Sequence, residues 1–278
     1  KATAWMAGWL TLMLVIAVAG REALRDVAVF QLMALRSTIG LLMLWPLLHV
    51  NGGLAAIRTQ RLREHTVRNT VHYGAQYAWF VALTMIPLAQ VVAIEFTMPI
   101  WIILLAAAFL GERITRWKVL AVALGLLGVG LVVRPDAAGL NPGQAVALAA
   151  AIGFAVSVTL TKRLTRTDGA LTISFWMLLV QAILGVLPAL AVWRWPSATG
   201  WGWILVVAFC GTFSHYCMAR ALRHGEATVV VPMDYLRVPL TALAGWLVYA
   251  ERMDLLTMLG AALILGGNLL NTRRAAAH

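Results

Sequence analysis

Ten apolar runs, each about as long as a bilayer is thick, follow one another along this chain with only short polar joints between them. A transmembrane helix needs roughly 20 mostly apolar residues to cross about 30 Å of hydrocarbon. That ruler places spans near residues 2–20, 28–50, 67–86, 88–110, 117–134, 141–162, 170–193, 200–222, 226–250 and 254–272. The joints fall on helix breakers or charges: Pro87, Gly111-Glu112-Arg113, Pro135, Pro142, Pro196 and Gly225-Glu226. Of 278 residues 62% are hydrophobic and 12% charged, against about 45–50% and about a quarter in a soluble domain. No soluble core could enclose that excess, so the expected fold class is an all-α integral membrane protein of ten transmembrane helices. The first run leads into Arg21-Glu22-Ala23 without a small-residue cleavage site. It is expected to be a retained helix and not a signal peptide.

A net charge of +11 invites a nucleic-acid reading, but no basic stripe or domain stands apart from the apolar runs, and nucleic acid is not an expected partner. The charge instead orients the chain. Lys and Arg are retained in cytoplasmic loops, and alternate joints collect 15 of them on one side (Lys1; Arg58 to Arg68; Arg113 to Lys118; Lys162 to Arg166; Arg220, Arg223; Arg273, Arg274) and five on the other (Arg21, Arg25, Arg134, Arg194, Arg252). Both termini are therefore expected in the cytoplasm, with the protein multi-pass in a bacterial inner membrane. Most of the tryptophans near span ends, such as Trp45, Trp117, Trp193 and Trp246, suit an interfacial belt. Trp79, Trp101 and Trp176 lie deeper. Cys210 and Cys217, two turns apart in one apolar run, are too distant along a helix for a disulfide. Neither CxxC nor HExxH occurs, and no metal or other cofactor is expected.

Sliding the chain along itself by 139 positions aligns Ala82-Leu83 with Ala221-Leu222, Val91-Val92 with Val230-Val231, Tyr77 with Tyr216, Glu95 with Asp234, Glu112-Arg113 with Glu251-Arg252 and Gly128 with Gly267, without a gap. The acidic positions and the Glu-Arg pairs are rare letters in an apolar chain. Residues 1–135 and 136–278 therefore read as two five-helix repeats. Five is odd, so the second copy enters the membrane from the opposite side, and the halves are inverted about an axis in the membrane plane. Two opposed, nearly equivalent halves offer two conformations, one open to each side, with a site at the midplane where they meet.

Ten helices in a five-plus-five repeat, the Gly111-Glu112-Arg113 turn, its Glu251-Arg252 echo and the Gly-rich fifth span (Gly125, Gly128, Gly130) resemble the drug/metabolite transporter superfamily, EamA type, over essentially the whole chain. Exporters of that kind handle amino acids, including aromatic ones, and related metabolites or drugs. The resemblance implies a central cavity framed largely by spans 3, 4, 8 and 9, with help from 1, 2, 6 and 7. Ala250-Glu251-Arg252 departs from the family's Gly-Glu-Arg, which weakens that turn.

An ionisable side chain at membrane depth costs about 3 kcal/mol even on permissive scales and needs a partner or a wet cavity. Arg36, His72, Glu95, His215, Asp234 and Arg237 lie at such depths. Glu95 and Asp234 sit within about a turn of Pro99 and Pro232, and proline frees backbone carbonyls. These carboxylates are candidates to bind a substrate amine or a proton, or to pair alternately with Arg36 and Arg237 as gates. A static salt bridge, Asp234 with Arg237 at i, i+3, is the alternative. On the third span Tyr73, Gln76, Tyr77 and Phe80 form one helical stripe, suited to an amphipathic or aromatic solute. Helix packing is its alternative. His72 lies a step off that stripe and is a gating candidate. Trp101, Ser157, Trp176, His215 and Tyr216 complete the substrate-binding candidates. Small residues at i, i+4, Ala121 with Gly125 and Ala262 with Gly266, are expected to let the fifth and tenth spans approach.

The expected function is a secondary transporter or facilitator exporting amino acids or related metabolites, with proton-coupled multidrug efflux as the alternative. No catalytic residues are assigned. Ser214 beside His215 points about 100° away from it on a helix and makes no dyad, so an intramembrane enzyme is disfavoured, as is a channel, for want of a filter. Ten helices suffice for a self-contained monomer in contact with lipid and a small-molecule substrate.

Overall fold

The computed structural model describes residues 2–110, 116–133, 141–164, 167–224, 234–251 and 254–275. They form α1 (Ala2–Ala23), α2 (Val29–Val50), a 3₁₀ turn at Gly53–Ile57, α3 (Leu62–Met85), α4 (Leu88–Glu95), α5 (Met98–Leu110), α6 (Arg116–Val133), α7 (Pro142–Leu164), α8 (Ala170–Ala191), α9 (Ala198–His224), a 3₁₀ turn at Asp234–Leu236, α10 (Arg237–Tyr249) and α11 (Leu255–Ala275). No strand occurs among the described residues. Helical stretches Ala4–Ala23, Val29–Val50, Pro142–Thr161 and Ala170–Ala191 are each long and apolar enough to cross a membrane. α3 starts at Leu62, ahead of the expected boundary, because its polar first turn (Leu62-Arg63-Glu64-His65) is helical without being apolar.

Polarity is turned inside out relative to a water-soluble protein. Leu187 is 77% exposed and Leu42 69%, with Trp246, Leu247 and Leu127 also facing outward, while Gln31, Ser37, His65, Asn69, Ser157 and Gln181 are fully enclosed. An exterior of that kind suits lipid, and a membrane protein hides its polar groups from it.

The most extensive packing joins α1 to α9, α3 to α7, α2 to α8 and α6 to α11, with α4 against α10. Moved by 139 positions, α1 becomes α7, α2 becomes α8, α3 becomes α9 and α6 becomes α11. The α1–α9 pair therefore turns into α7–α3, and the α2–α8 and α6–α11 pairs turn into themselves. Cys210 and Cys217 are free and buried, and Cys217 Sγ would lie 3.4 Å from a Cβ at Gly8 across the α1–α9 contact.

The α6–α11 contact corrects one expectation. A Cβ at Gly128 would stand 2.5 Å from the Gly260 carbonyl and 2.7 Å from Ile264, so this glycine sets the approach. Ala262 and Gly266 face outward. They fall on the wrong side of α11, because Gly260 and Ile264, themselves at i, i+4, occupy the contact face.

The two repeat-equivalent acids each lie at a turn next to a helix end. α4 stops at Glu95, Phe96 and Thr97 turn the chain, and α5 begins at Met98. A proline at 99 has no N–H to offer the Glu95 carbonyl four residues back, which disfavours an unbroken helix here. The 3₁₀ turn Asp234–Leu236 leads into α10, and Asp234 stands five residues before Pro239 where Glu95 stands four before Pro99.

Candidate functional site

These two turns deliver their acids to one cation. Arg237, at the first residue of α10, donates from Nη2 to Glu95 Oε1 at 2.9 Å, and the same nitrogen lies 3.5 Å from Asp234 Oδ2. Each carboxylate also accepts an indole N–H: Trp79 Nε1 donates to Glu95 Oε2 at 3.0 Å, and Trp9 Nε1 to Asp234 Oδ1 at 2.6 Å. The Phe96 ring lies beneath the guanidinium, 4.9 Å from its centroid. Four helical segments, α1, α3, α4 and the α10 entrance, thus meet on two acids and one arginine. The acids exceed the base by one formal charge, and their side chains are 14% and 16% exposed.

Arg36 joins neither acid. It is buried on α2, and Nη1 donates to Gln76 Oε1 on α3 at 2.8 Å and to Gln181 Oε1 on α8 at 3.3 Å. Gln76 and Trp79 stand at i, i+3 on α3, about 4.5 Å apart along its axis. α3 therefore carries the arginine–amide group and the acid cluster side by side.

The rest of the predicted stripe divides. Tyr73 is buried near Gln76, its hydroxyl without a partner among the described residues. Tyr77 stacks on Phe30, ring centroids 4.5 Å apart. Phe80 is fully enclosed, edge-on to Trp79 and against Gly20, and so forms the wall behind the cluster. His72 Nδ1 lies 3.2 Å from Ser157 Oγ and its ring packs on Phe154, tying α3 to α7. Trp101 Nε1 donates to Thr97 Oγ1 one turn back, at the break between α4 and α5. Trp176 stands away from the acids, donating to the Ile57 carbonyl at 2.9 Å. His215 and Tyr216 fall on α9, and their side chains lie outside the described residues. Trp9, Arg21 and Glu251 were not singled out as site residues. Glu251 had a signal, the repeated Glu-Arg pair, whereas one tryptophan among 12 had none.

Hydrogen bonds gather the joints into two groups. In one, Arg21 Nη1 pairs with Glu251, its Nε donates to Leu83 O at 2.6 Å, Glu251 Oε2 accepts the Leu88 N–H at 3.0 Å, Tyr249 donates to Glu22 at 2.8 Å, and Asp26 Oδ2 accepts the Ser197 N–H at 2.7 Å. A cavity of about 470 Å³ opens here between Arg21, Arg25, Thr84, Met85, Pro87 and Tyr249. In the other, Asp168 Oδ2 lies 2.6 Å from His65 Nε2 and accepts from Thr59 Oγ1 at 2.6 Å, and Arg61 donates to the Arg163 carbonyl at 3.1 Å. Burial alone would raise the Asp168 carboxyl, but hydrogen bonds from His65, Thr59 and Thr167 outweigh it and hold it below the usual carboxylate range.

The profile of the EamA-like transporter family matches this sequence twice, over residues 4–134 and 141–273. A riboflavin transporter of Rhizobium johnstonii is 33% identical over 220 residues, 78% of this chain and 72% of its own. An S-adenosylmethionine uptake transporter of Rickettsia prowazekii is 25% identical over 217 residues, 78% and 74% of the two chains. A pseudopaline exporter of Pseudomonas aeruginosa is 29% identical over 251 residues, 88% and 86%. A solved crystal structure aligns with a TM-score of 0.69 at 22% identity, covering 99% of this chain and 98% of the other, so the two share a fold.

Proposed function

This chain belongs to the EamA-like transporter family, and from that premise we propose that it is a secondary transporter or facilitator of a small organic solute, an amino acid or related metabolite, working by alternating access in a bacterial inner membrane. The proposal includes ten spans, two inverted halves (1–135 and 136–278) and both termini in the cytoplasm. The observation that carries it is the Glu95–Arg237–Asp234 cluster, in which two repeat-equivalent acids, each at a turn next to a helix end, share a cation. Discontinuous helices that meet near the midplane are where transporters built from inverted repeats bind their solutes. The grouping of the joints supports the topology: the Lys- and Arg-poor joints after spans 1, 3, 7 and 9 are hydrogen-bonded together, as are the basic joints after spans 2 and 6.

The candidate cavity residues are Tyr73, Gln76, Tyr77, Glu95, Trp101, Ser157, His215, Tyr216 and Asp234, backed by Phe80 and, nearer the basic end, Trp176. Relatives named for riboflavin, S-adenosylmethionine and pseudopaline widen the solutes to be tried beyond amino acids. Their names include both uptake and export, which suits a carrier whose direction follows the solute's gradient.

The test is counterflow in liposomes loaded with one unlabelled solute at a time and supplied with trace label, using phenylalanine, tyrosine, methionine, riboflavin and S-adenosylmethionine. Saturable accumulation of at least one is expected, abolished when the unlabelled pool is omitted. Flux no greater than in protein-free liposomes across the panel, or flux that never saturates, would overturn the reading. Repeating the assay with an imposed proton gradient separates facilitation, which ignores it, from proton-coupled efflux, which does not.

A further inference from the structure

Arg36 differs from the other arginines held inside the fold. Arg237 has two carboxylates and Arg21 has Glu251. Among the described residues, Arg36, 3% exposed, has only the side-chain oxygens of Gln76 and Gln181, both on one nitrogen, and its Nε has no partner. Arg68 is also held by neutral groups, Thr161 and Asn69, but its bonded nitrogens include Nε. Desolvating a guanidinium costs more than two amide hydrogen bonds return, so a buried cation is normally given an anion.

The surroundings lack the same thing that Arg36 lacks. With Gln181 Oε1 turned to Arg36, its Nε2 is a buried donor without an acceptor, and so is the hydroxyl of Tyr73, one turn from Gln76 on α3. Unused donors thus stand on α2 and α8 at the Arg36–Gln181 contact and on α3 one turn from Gln76, and what would satisfy them is a group with several lone pairs and a negative charge. Gly211 on α9 lets the guanidinium lie against that helix: a Cβ there would come 2.7 Å from Arg36 Nε.

We propose that Arg36, with Gln76, Gln181 and Tyr73, is an anion subsite that takes the carboxylate or phosphate group of the transported solute. The proposal deepens the transport reading and rests on it for the identity of that solute.

The test uses the purified full-length chain in detergent, with thermal unfolding followed by tryptophan fluorescence at fixed ionic strength. Benzoate and inorganic phosphate are the anionic probes, benzamide the neutral match for benzoate and chloride the control. Wild type is expected to be stabilised by benzoate, by phosphate or by both, and the responding probe identifies the group. Chloride and benzamide are expected to do nothing. Arg36→Gln should weaken the response about tenfold or more, and Arg36→Lys should restore part of it, since the ammonium keeps the charge without the fork. If Arg36→Gln does not fold, Gly211→Ala, which crowds the guanidinium, should weaken it as well. An anion response equal in wild type and these variants, or none in wild type, overturns the subsite. Counterflow keeps the two ideas apart. A solute carried by wild type and by Arg36→Gln at the same rate sinks the subsite alone, whereas absence of wild-type counterflow sinks the transport reading.

Discussion

Arg237 is shared, so a change to either acid acts on the other through it. Removing one member of a buried ion pair costs about 3 kcal/mol or more, because the remaining charge stays desolvated. Asp234 still stands 3.5 Å from Arg237, which puts Glu95→Gln at the low end of that range. The protein is expected to melt several degrees lower and, measured well below its melting point, to carry solute at least about tenfold more slowly per folded molecule. Asp234→Asn should do the same more weakly, since its contact with Arg237 is the longer one. If the rate per folded molecule stays unchanged while the melting temperature falls, the cluster is a brace between halves and the solute site lies elsewhere. The acids were legible because ionisable letters are rare in an apolar chain and the repeat paired them. Their partners were not. Trp9 sits on a helix that is apolar nearly all round, so periodicity leaves its rotation open, and while the i, i+3 spacing pairs Asp234 with Arg237, nothing local brings Glu95 to the same arginine.

At the scale of the element, the break after Glu95 follows from Pro99 and its forbidden bond to a carbonyl four residues back. The end of α10 is equally traceable. Ala250 adopts φ 54°, with its N–H bonded to the Trp246 carbonyl and the Glu251 N–H to the Gly245 carbonyl, a left-handed cap that favours glycine. The equivalent residue of the first half is Gly111, so the weakness read from Ala250-Glu251-Arg252 has a backbone cause. The cap aims Glu251 at Arg21 and at the first N–H of α4, and the turn must hold even when a methyl group strains it. Ala250→Gly is expected to raise stability by about 0.5–1 kcal/mol, the left-handed penalty less the glycine's greater entropy when unfolded, with transport unchanged. Differential scanning of the two proteins side by side checks it. Destabilisation would mean that the left-handed conformation costs alanine nothing here. The start of α3 escaped the sequence because an apolar ruler measures the width of the hydrocarbon and not the length of the helix.

For the whole molecule, hydropathy alone gave a membrane protein, and the repeat gave two related segments of it but not the way its helices pair. Each large contact joins the halves: α1 to α9, α3 to α7, α2 to α8, α6 to α11. No sequence rule names those partners, since helices in lipid associate by fit and not by an amphipathic stripe. The pairing bears on motion. If the halves rock against each other to expose the site alternately, the contacts between them must change, and a bond across one of them should stop transport. The α1–α9 contact offers a place to make it, because a Cβ at Gly8 would lie 4.0 Å from that of Cys217, within the span of a disulfide. Gly8→Cys, with Cys210→Ser to leave a single partner, is expected to cross-link on mild oxidation, to lose most of its counterflow activity, and to regain it on reduction. Solute binding, followed by thermal stabilisation, should survive the cross-link, since the locked protein still holds one of its conformations. Complete cross-linking with transport at the wild-type rate would show that α1 and α9 travel together as one body, and the moving boundary would then have to lie along α2–α8 or α6–α11.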